Sequence, residues 1–169
     1  MVAAIGSNKA PAHLSGLDLI YNPSFGSYLI WRAASGHFSE SGRGLPIALA
    51  FLVLPIALHG ESKSALIGTN MPSGLTLFAA KLGAKQESLL AIHERAIALR
   101  GLSLASLTTG TMAKFMIVDP GTATILSLDS ELPSPSSSMR KLGLACEKLG
   151  VWFGRLPVDQ VASILRVAF

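Results

Sequence analysis

The side chains best suited to chemistry in this 169-residue chain are four histidines (His13, His37, His59, His93), one cysteine (Cys146) and many serines. A nucleophile needs a base within hydrogen-bond reach and a third group to orient that base. Composition supplies all three types, and a small hydrolase built on His93 or His37 is one reading. No local pattern supports it, because the chain has no G-x-S-x-G elbow and no histidine near Cys146 in sequence. Metal ligation fares no better. His93-Glu94 opens like the zinc signature H-E-x-x-H, but Ile97 stands where the second histidine belongs. A lone cysteine makes no internal disulfide and no Cys-based zinc cluster, and in LGLACEKLG it reads as a buried thiol. Gly42-Arg43-Gly44 and the stretch from Gly68 to Gly74 carry glycines, but neither resembles a phosphate-binding loop. The chain therefore reads as no enzyme, with no cofactor and no metal.

Composition points to a partner instead. Half of the residues are hydrophobic and only 14% are charged, with a mean hydropathy of +0.49. That is too apolar for disorder, and a chain this long buries roughly 70% of its unfolded surface. The surplus apolar content needs an outlet in a partner interface or a membrane. The membrane reading rests on Leu45 to Leu58 (LPIALAFLVLPIAL). This run is shorter than the roughly 20 residues a spanning helix needs. Pro46 suits a first helical turn and Pro55 should bend or end the helix, so the run reads as a helix buried on all sides. Met1 to Ile5 is apolar, but Ser7, Asn8 and Lys9 follow at once, which is not a signal peptide. The expected location is cytoplasmic, without a membrane. The net charge of +4 reflects few acids rather than a basic patch, so direct nucleic-acid binding is permitted but not demanded.

These residues must be positioned by a mainly α fold with a small β-hairpin (α+β). Residues 1–16 lack periodicity and read as a flexible leader; 17–169 read as one helical domain. Asn22-Pro23 starts a helix over about 24–35 that closes at Gly36. Leu45 to Leu58 follows, with Gly60 as its C-cap. A short helix covers Ser62 to Ile67, and Leu75, Phe78, Ala79 and Leu82 mark another, ended by Gly83. Gln86 to Arg100 has the clearest helical spacing. Ser103 can N-cap a helix over 104–112 with Leu104 and Leu107 facing inward. Lys114 to Val118 and Thr122 to Leu128 are β-branched and apolar around Asp119-Pro120-Gly121, a hairpin over about 114–128. A polar linker at 132–138 leads to C-terminal helices over roughly 138–153 and 157–167.

Helix, short turn, helix, hairpin over about 74–128 is the order of a winged helix-turn-helix, although many folds produce the same succession. A DNA-reading helix usually carries Lys and Arg. Here LASLTTGTMA has none, so such a wing is better suited to protein. A winged-helix DNA-binding regulator remains the alternative. His93, Glu94, Arg95 and Arg100 put charge on an apolar helix, either as a solvated face or as a polar cluster setting the register of docking. The aromatic set Tyr21, Phe25, Tyr28, Trp31 and Phe38 divides likewise between core and interface anchors.

NPSFGSYLIW from Asn22, Gly44-Leu45-Pro46 with the run ending LPIALH, LLAIHERAIAL from Leu89 and ACEKLGVWF from Ala145 occur in that order. Together they resemble the middle component of bacterial three-component ABC-ATPase systems, the class that includes Lamassu-type anti-phage defence. The resemblance covers most of residues 20–169; the C-terminal VASILRVAF lacks the proline-tipped tail of many members. It implies a small non-catalytic adaptor that docks on an SMC/Rad50-like ABC ATPase, at its coiled-coil arms or heads. The adaptor would couple that ATPase to an effector subunit, often a nuclease. DNA would be met only indirectly, through the ATPase. The residues expected to serve packing or docking are Asn22, Pro23, Phe25, Tyr28, Trp31, His93, Arg95 and Trp152.

Overall fold

A computed structural model describes residues 21–84, 86–130 and 135–169. The expected leader, and the first part of the expected linker (132–134), lie outside the described residues. The architecture is mainly helical with a small antiparallel sheet, as the sequence pattern implies.

Helix α1 runs Pro23–Ser41, and both of its ends are written in the sequence. The Asn22 side chain accepts a hydrogen bond from the Ser24 N–H at 2.8 Å, and Pro23 fills the first helical position. Gly42, at φ 66°, closes the helix in the left-handed conformation, its N–H bonded to the Phe38 carbonyl. The stop expected at Gly36 is wrong by a turn and a half. Gly36 is instead the point where α1 meets another helix backbone to backbone.

A two-residue strand, β1 (Leu45–Pro46), precedes helix α2 (Ile47–Ala57). The core of α2 is buried from Leu52 to Ala57 without a break, as a helix apolar on all faces must be. Pro55 lies inside it, but only two residues from the end. Helix α3 (Gly60–Ile67) then leaves at 101° to α2. Gly60 opens α3 rather than capping α2. The corner is held by Ser62, whose buried hydroxyl donates to the Ile56 carbonyl at 2.8 Å and so satisfies the end of α2.

After a 3-10 turn (Met71–Ser73) come α4 (Gly74–Gly83), α5 (Gln86–Ala98) and α6 (Arg100–Met112). Ser103 is not a cap. It is buried inside α6, which presents Ser103, Ser106, Leu107 and Gly110 to the protein interior. That face turns Leu104 outward, contrary to the expectation that it would point in. Strands β2 (Met116–Asp119) and β3 (Thr124–Ser127) form the hairpin, and β1 joins its far edge in the order β1–β3–β2. Ile125 faces both Leu45 and Val118 across the sheet. The Asp119 carboxylate accepts from the Gly121 N–H and the Thr122 hydroxyl, both at 2.8 Å, and fixes the turn. The helices and hairpin of the expected winged unit are present over 74–128. Its third strand, however, comes from residues 45–46, and α6 packs chiefly on α1. The unit therefore begins at α1 and is not self-contained.

Helix α7 (Ser137–Gly154) is capped by Ser136, and α8 (Val158–Leu165) ends at Arg166 in the left-handed conformation. The most extensive contact in the protein is α1 against α7. A Cβ on Gly36 would overlap the Glu147 carbonyl, and one on Gly150 would overlap that of Ala33. We predict that Gly150→Ala lowers unfolding free energy by about 1–3 kcal/mol, because neither backbone can retreat. Gly101→Ala, at an open position of α6, should instead raise it by about 0.5 kcal/mol. Urea titration of the two variants checks the contrast; equal effects would refute the backbone contact.

Candidate partner-docking site

The middle of α1 and the beginning of α7 enclose a shallow cleft of about 570 Å³ lined by Tyr28, Trp31, Arg32, Ser130, Pro135, Arg140 and Leu144. Tyr28, Trp31 and Arg32 project from one side of α1, since residues three and four apart share a helix face. Tyr28 reaches α7 because position 143 is glycine; a Cβ there would collide with its ring and hydroxyl. The Tyr28 and Trp31 ring centroids lie 6.2 Å apart, and Phe115 meets Trp31 edge-on at 6.3 Å. The Trp31 indole N–H donates to the Leu128 carbonyl at 3.0 Å, so the ring is pinned and only its face is offered.

The cleft is cationic as well as aromatic. Arg32 sits 5.8 Å from the centre of the Trp31 ring and forms an ion pair with Glu147. Burial pushes the Tyr28 phenol above its usual range even though Arg32 pulls the other way, so the hydroxyl is neutral at physiological pH. Arg140 is exposed and has no ion-pair partner among the described residues. Leu144, one turn further along α7, is 53% exposed.

Two of the eight residues expected at an interface, Tyr28 and Trp31, line this cleft; the others do not. Asn22 and Pro23 build the start of α1. Phe25 is half-buried against the core. His93 and Arg95 are half-buried on α5, two positions apart and so on different faces. Arg95 donates from Nε to the Ala91 carbonyl at 3.1 Å, and burial lowers its pKa, with Glu61 opposing that shift. Trp152 is fully buried, which gives it the packing role of the two open to it. Its indole N–H donates to the Met71 carbonyl at 2.9 Å. The same loop is held by Lys81 on the Gly68 carbonyl at 2.9 Å and Lys148 on the Thr69 carbonyl at 2.5 Å. These cations meet the carbonyls at the exit of α3, where the helix dipole is negative.

Exposed apolar side chains also stand on α5 and α6. Leu90 and Ile97 are 56% and 64% exposed on one line of α5, and Leu104 and Met112 are 47% and 78% exposed on one side of α6. Arg100 is the single cation on α6.

Two of the groups suited to catalysis, His37 and Cys146, have structural surroundings. His37 Nδ1 lies 3.0 Å from the Arg43 carbonyl and 3.2 Å from the Ser41 hydroxyl, while Ser41 donates to the His37 carbonyl at 2.8 Å. A ring that donates from Nδ1 to a carbonyl cannot take the Ser41 proton there, so the pair closes a helix end. Cys146 is buried, and burial pushes its thiol up to about 12, far from a reactive thiolate. Among the described residues, no group of three or more His, Cys, Asp or Glu could hold a metal ion. No single described helix is long and apolar enough to cross a membrane, although α2 and α3 together pass that test as a bent pair.

The family assignment rests on sequence. The family described as ABC-three component (ABC-3C) system Middle Component 3 matches residues 13–169, and the chain belongs to it. The protein is thus a middle component of a three-component ABC system, and the match starts inside the segment read as a leader. No curated protein and no solved structure matches the chain.

Sequence reasoning missed Arg32, Ser130, Pro135, Arg140 and Leu144. Arg32 follows Trp31 directly, but nothing local joins it to a glutamate more than a hundred residues away. A pH dependence follows from His37, whose pKa burial holds below its usual value, with the Arg43 charge acting the same way. The unfolded chain then binds the extra proton first, so stability is complete above about pH 6.5 and falls as pH drops. The slope can approach about 1.4 kcal/mol per pH unit. His37→Gln should flatten the curve below about pH 6.5 in chemical denaturation. A wild-type curve that is level or rising toward acid would contradict the buried neutral ring.

Proposed function

We propose that the protein is a non-catalytic adaptor that docks on an SMC/Rad50-like ABC ATPase and couples it to an effector subunit, such as a nuclease, in anti-phage or anti-plasmid defence. The observation that carries this reading is the outward face of α5 and α6. Leu90, Ile97, Leu104 and Met112 stand exposed where a solvated helix would carry charge. Membership of the Middle Component 3 family supports the presence of an ABC partner. Such exposed apolar positions on successive helices suit burial against another protein.

The same face weighs against the DNA-binding alternative. A helix that reads DNA needs Arg and Lys toward the phosphates and bases. The exposed residues of α6 after Arg100 are Gly101, Leu104, Thr108, Thr111 and Met112, and none is basic. DNA contact then falls to the ATPase, and the site of action is cytoplasmic.

Tagged protein co-expressed with the other components should bring down the ATPase in a complex that resists rising salt, because apolar contacts are little screened. The double change Ile97→Glu and Leu104→Glu touches exposed positions and should leave the thermal midpoint nearly unchanged. It should reduce ATPase recovery by about tenfold or more. Undiminished recovery would remove α5 and α6 from the interface. Recovery of nucleic acid alone, lost at moderate salt, would establish the regulator instead.

A further inference from the structure

We propose that the seam between α6 and α1 is a joint that opens when the ATPase component docks on the outward face of α6. This inference rests on the docking reading above and adds a movement to it.

The inner face of α6 carries groups that the closed seam leaves without partners. Ser106 lies against α1: a Cβ on Gly26 would overlap its hydroxyl, and the Ser27 hydroxyl donates to its carbonyl at 2.5 Å. Ser103, three residues back, shares the inward face. Ser106 and Ser103 are 0% and 1% exposed, and neither hydroxyl has a hydrogen-bond partner among the described residues. Thr108, Thr109 and Thr111 of the same helix, by contrast, each donate to the carbonyl four residues back, at 2.8–3.0 Å. A buried hydroxyl without a partner keeps the cost of leaving water and gains no bond in return. Alanine would fill the same space at less cost, so packing alone does not call for serine at either position.

The exit of α6 is costly for a second reason. The Phe115 N–H bonds the Gly110 carbonyl and the Lys114 N–H that of Thr111, the paired bonds that end a helix on a left-handed residue. That residue is Lys114, at φ 62°, where glycine is the favoured type. The tie between α6 and α1 is also slight. The Ser27 bond is the one side-chain hydrogen bond joining them among the described residues. Helix α7 and the residue after it make two ion pairs with α1, Arg32–Glu147 and Glu40–Arg155. The costs at Ser103, Ser106 and Lys114 belong to the closed arrangement, so they lower the work of moving α6 away from α1. A partner at Leu104 and Met112 acts on the other side of that same helix and can select the moved position.

The test locks the seam. The Cβ position of Gly26 is 3.1 Å from the Ser106 Cβ, slightly closer than the roughly 3.5–4.5 Å that a disulfide spans. Gly26→Cys with Ser106→Cys in the full chain should therefore form a bridge on oxidation with diamide, while the native Cys146 stays buried. The bridged protein, mixed with the ATPase component, should recover about tenfold less of it than the same protein reduced with dithiothreitol. Equal recovery by the two forms would overturn the proposal and leave docking through α5 and α6 standing. Ser103→Ala with Ser106→Ala tests the hydroxyls without a bridge. This variant should raise the thermal midpoint, slow amide exchange across α6 by about tenfold and lower ATPase recovery. A lowered midpoint would show that the hydroxyls are paired, and a raised midpoint with full recovery would show that α6 need not move; either overturns the proposal. Failure of the unaltered protein to recover any ATPase would overturn both this inference and the docking reading.

Discussion

The near-contact of the α1 and α7 backbones at Gly36 and Gly150 is the constraint on which the rest of the structure depends. Helices usually pack with axes held apart by their side chains, at about 8–10 Å. Here the Glu147 carbonyl occupies the space of a Gly36 side chain, and the Ala33 carbonyl that of a Gly150 side chain. Only glycine allows this approach, whatever its effect on helix propensity. The close seam fixes the rotation of α7, and that rotation places Trp152 and Phe153 wholly in the core and Glu147 beside Arg32. One seam thus sets both the core and the charged wall of the cleft. Gly143 extends it toward the start of α7, where the Tyr28 ring takes the room that a side chain would need.

Several of the chain's few charged residues carry structural duties. Lys81 and Lys148 donate to carbonyls of the loop between α3 and the 3-10 turn, and Arg155 and Trp152 donate to the Met71 carbonyl at the start of that turn. Arg155 is also paired with Glu40 of α1 at 3.1 Å. Burial lowers the Lys148 pKa, with Lys81 adding to the effect, yet its ammonium remains bonded to the Ile67 and Thr69 carbonyls. The ammonium also lies 5.4 Å from the centre of the Trp152 ring, a favourable place for a cation with little access to water. These contacts give a turn rich in unpaired carbonyls the donors it cannot find within itself.

The parts of the fold legible in the sequence are those governed by a local period or a local cap. Asn22-Pro23, the spacing from Leu89 to Ala96 and the β-branched runs around Asp119-Pro120-Gly121 each specify their own element. Gly36, Gly60 and Ser103 suggest stops or caps by residue type alone, and in the structure none of them is one. Each has a tertiary role that outweighs the local preference: Gly36 admits a backbone, Gly60 begins a helix at a corner tied by Ser62, and Ser103 is buried within α6. The candidate cleft was legible only in Tyr28 and Trp31, whose type and spacing mark an aromatic face. Its charged half joins residues from the two ends of the chain, and no local pattern pairs Arg32 with Glu147 or sets Arg140 opposite Tyr28. The seven-residue spacing of Gly143 and Gly150 was the available clue, since small residues repeated on one helix face admit a close neighbour.

The placement of β1 beside β3 gives the hairpin a fixed orientation on α1, and α6 enters the same assembly through its small residues Ser103, Ser106 and Gly110. Small inward residues draw α6 close, while Leu104 and Met112 point away from the core. In a protein that reads nucleic acid those outward positions would be filled by cations, at little cost in water. Here Leu104 and Met112 occupy them, which exposes apolar area with no return unless something covers it. A scaffold with the elements of a DNA-reading unit thus presents a face whose physical chemistry favours another protein.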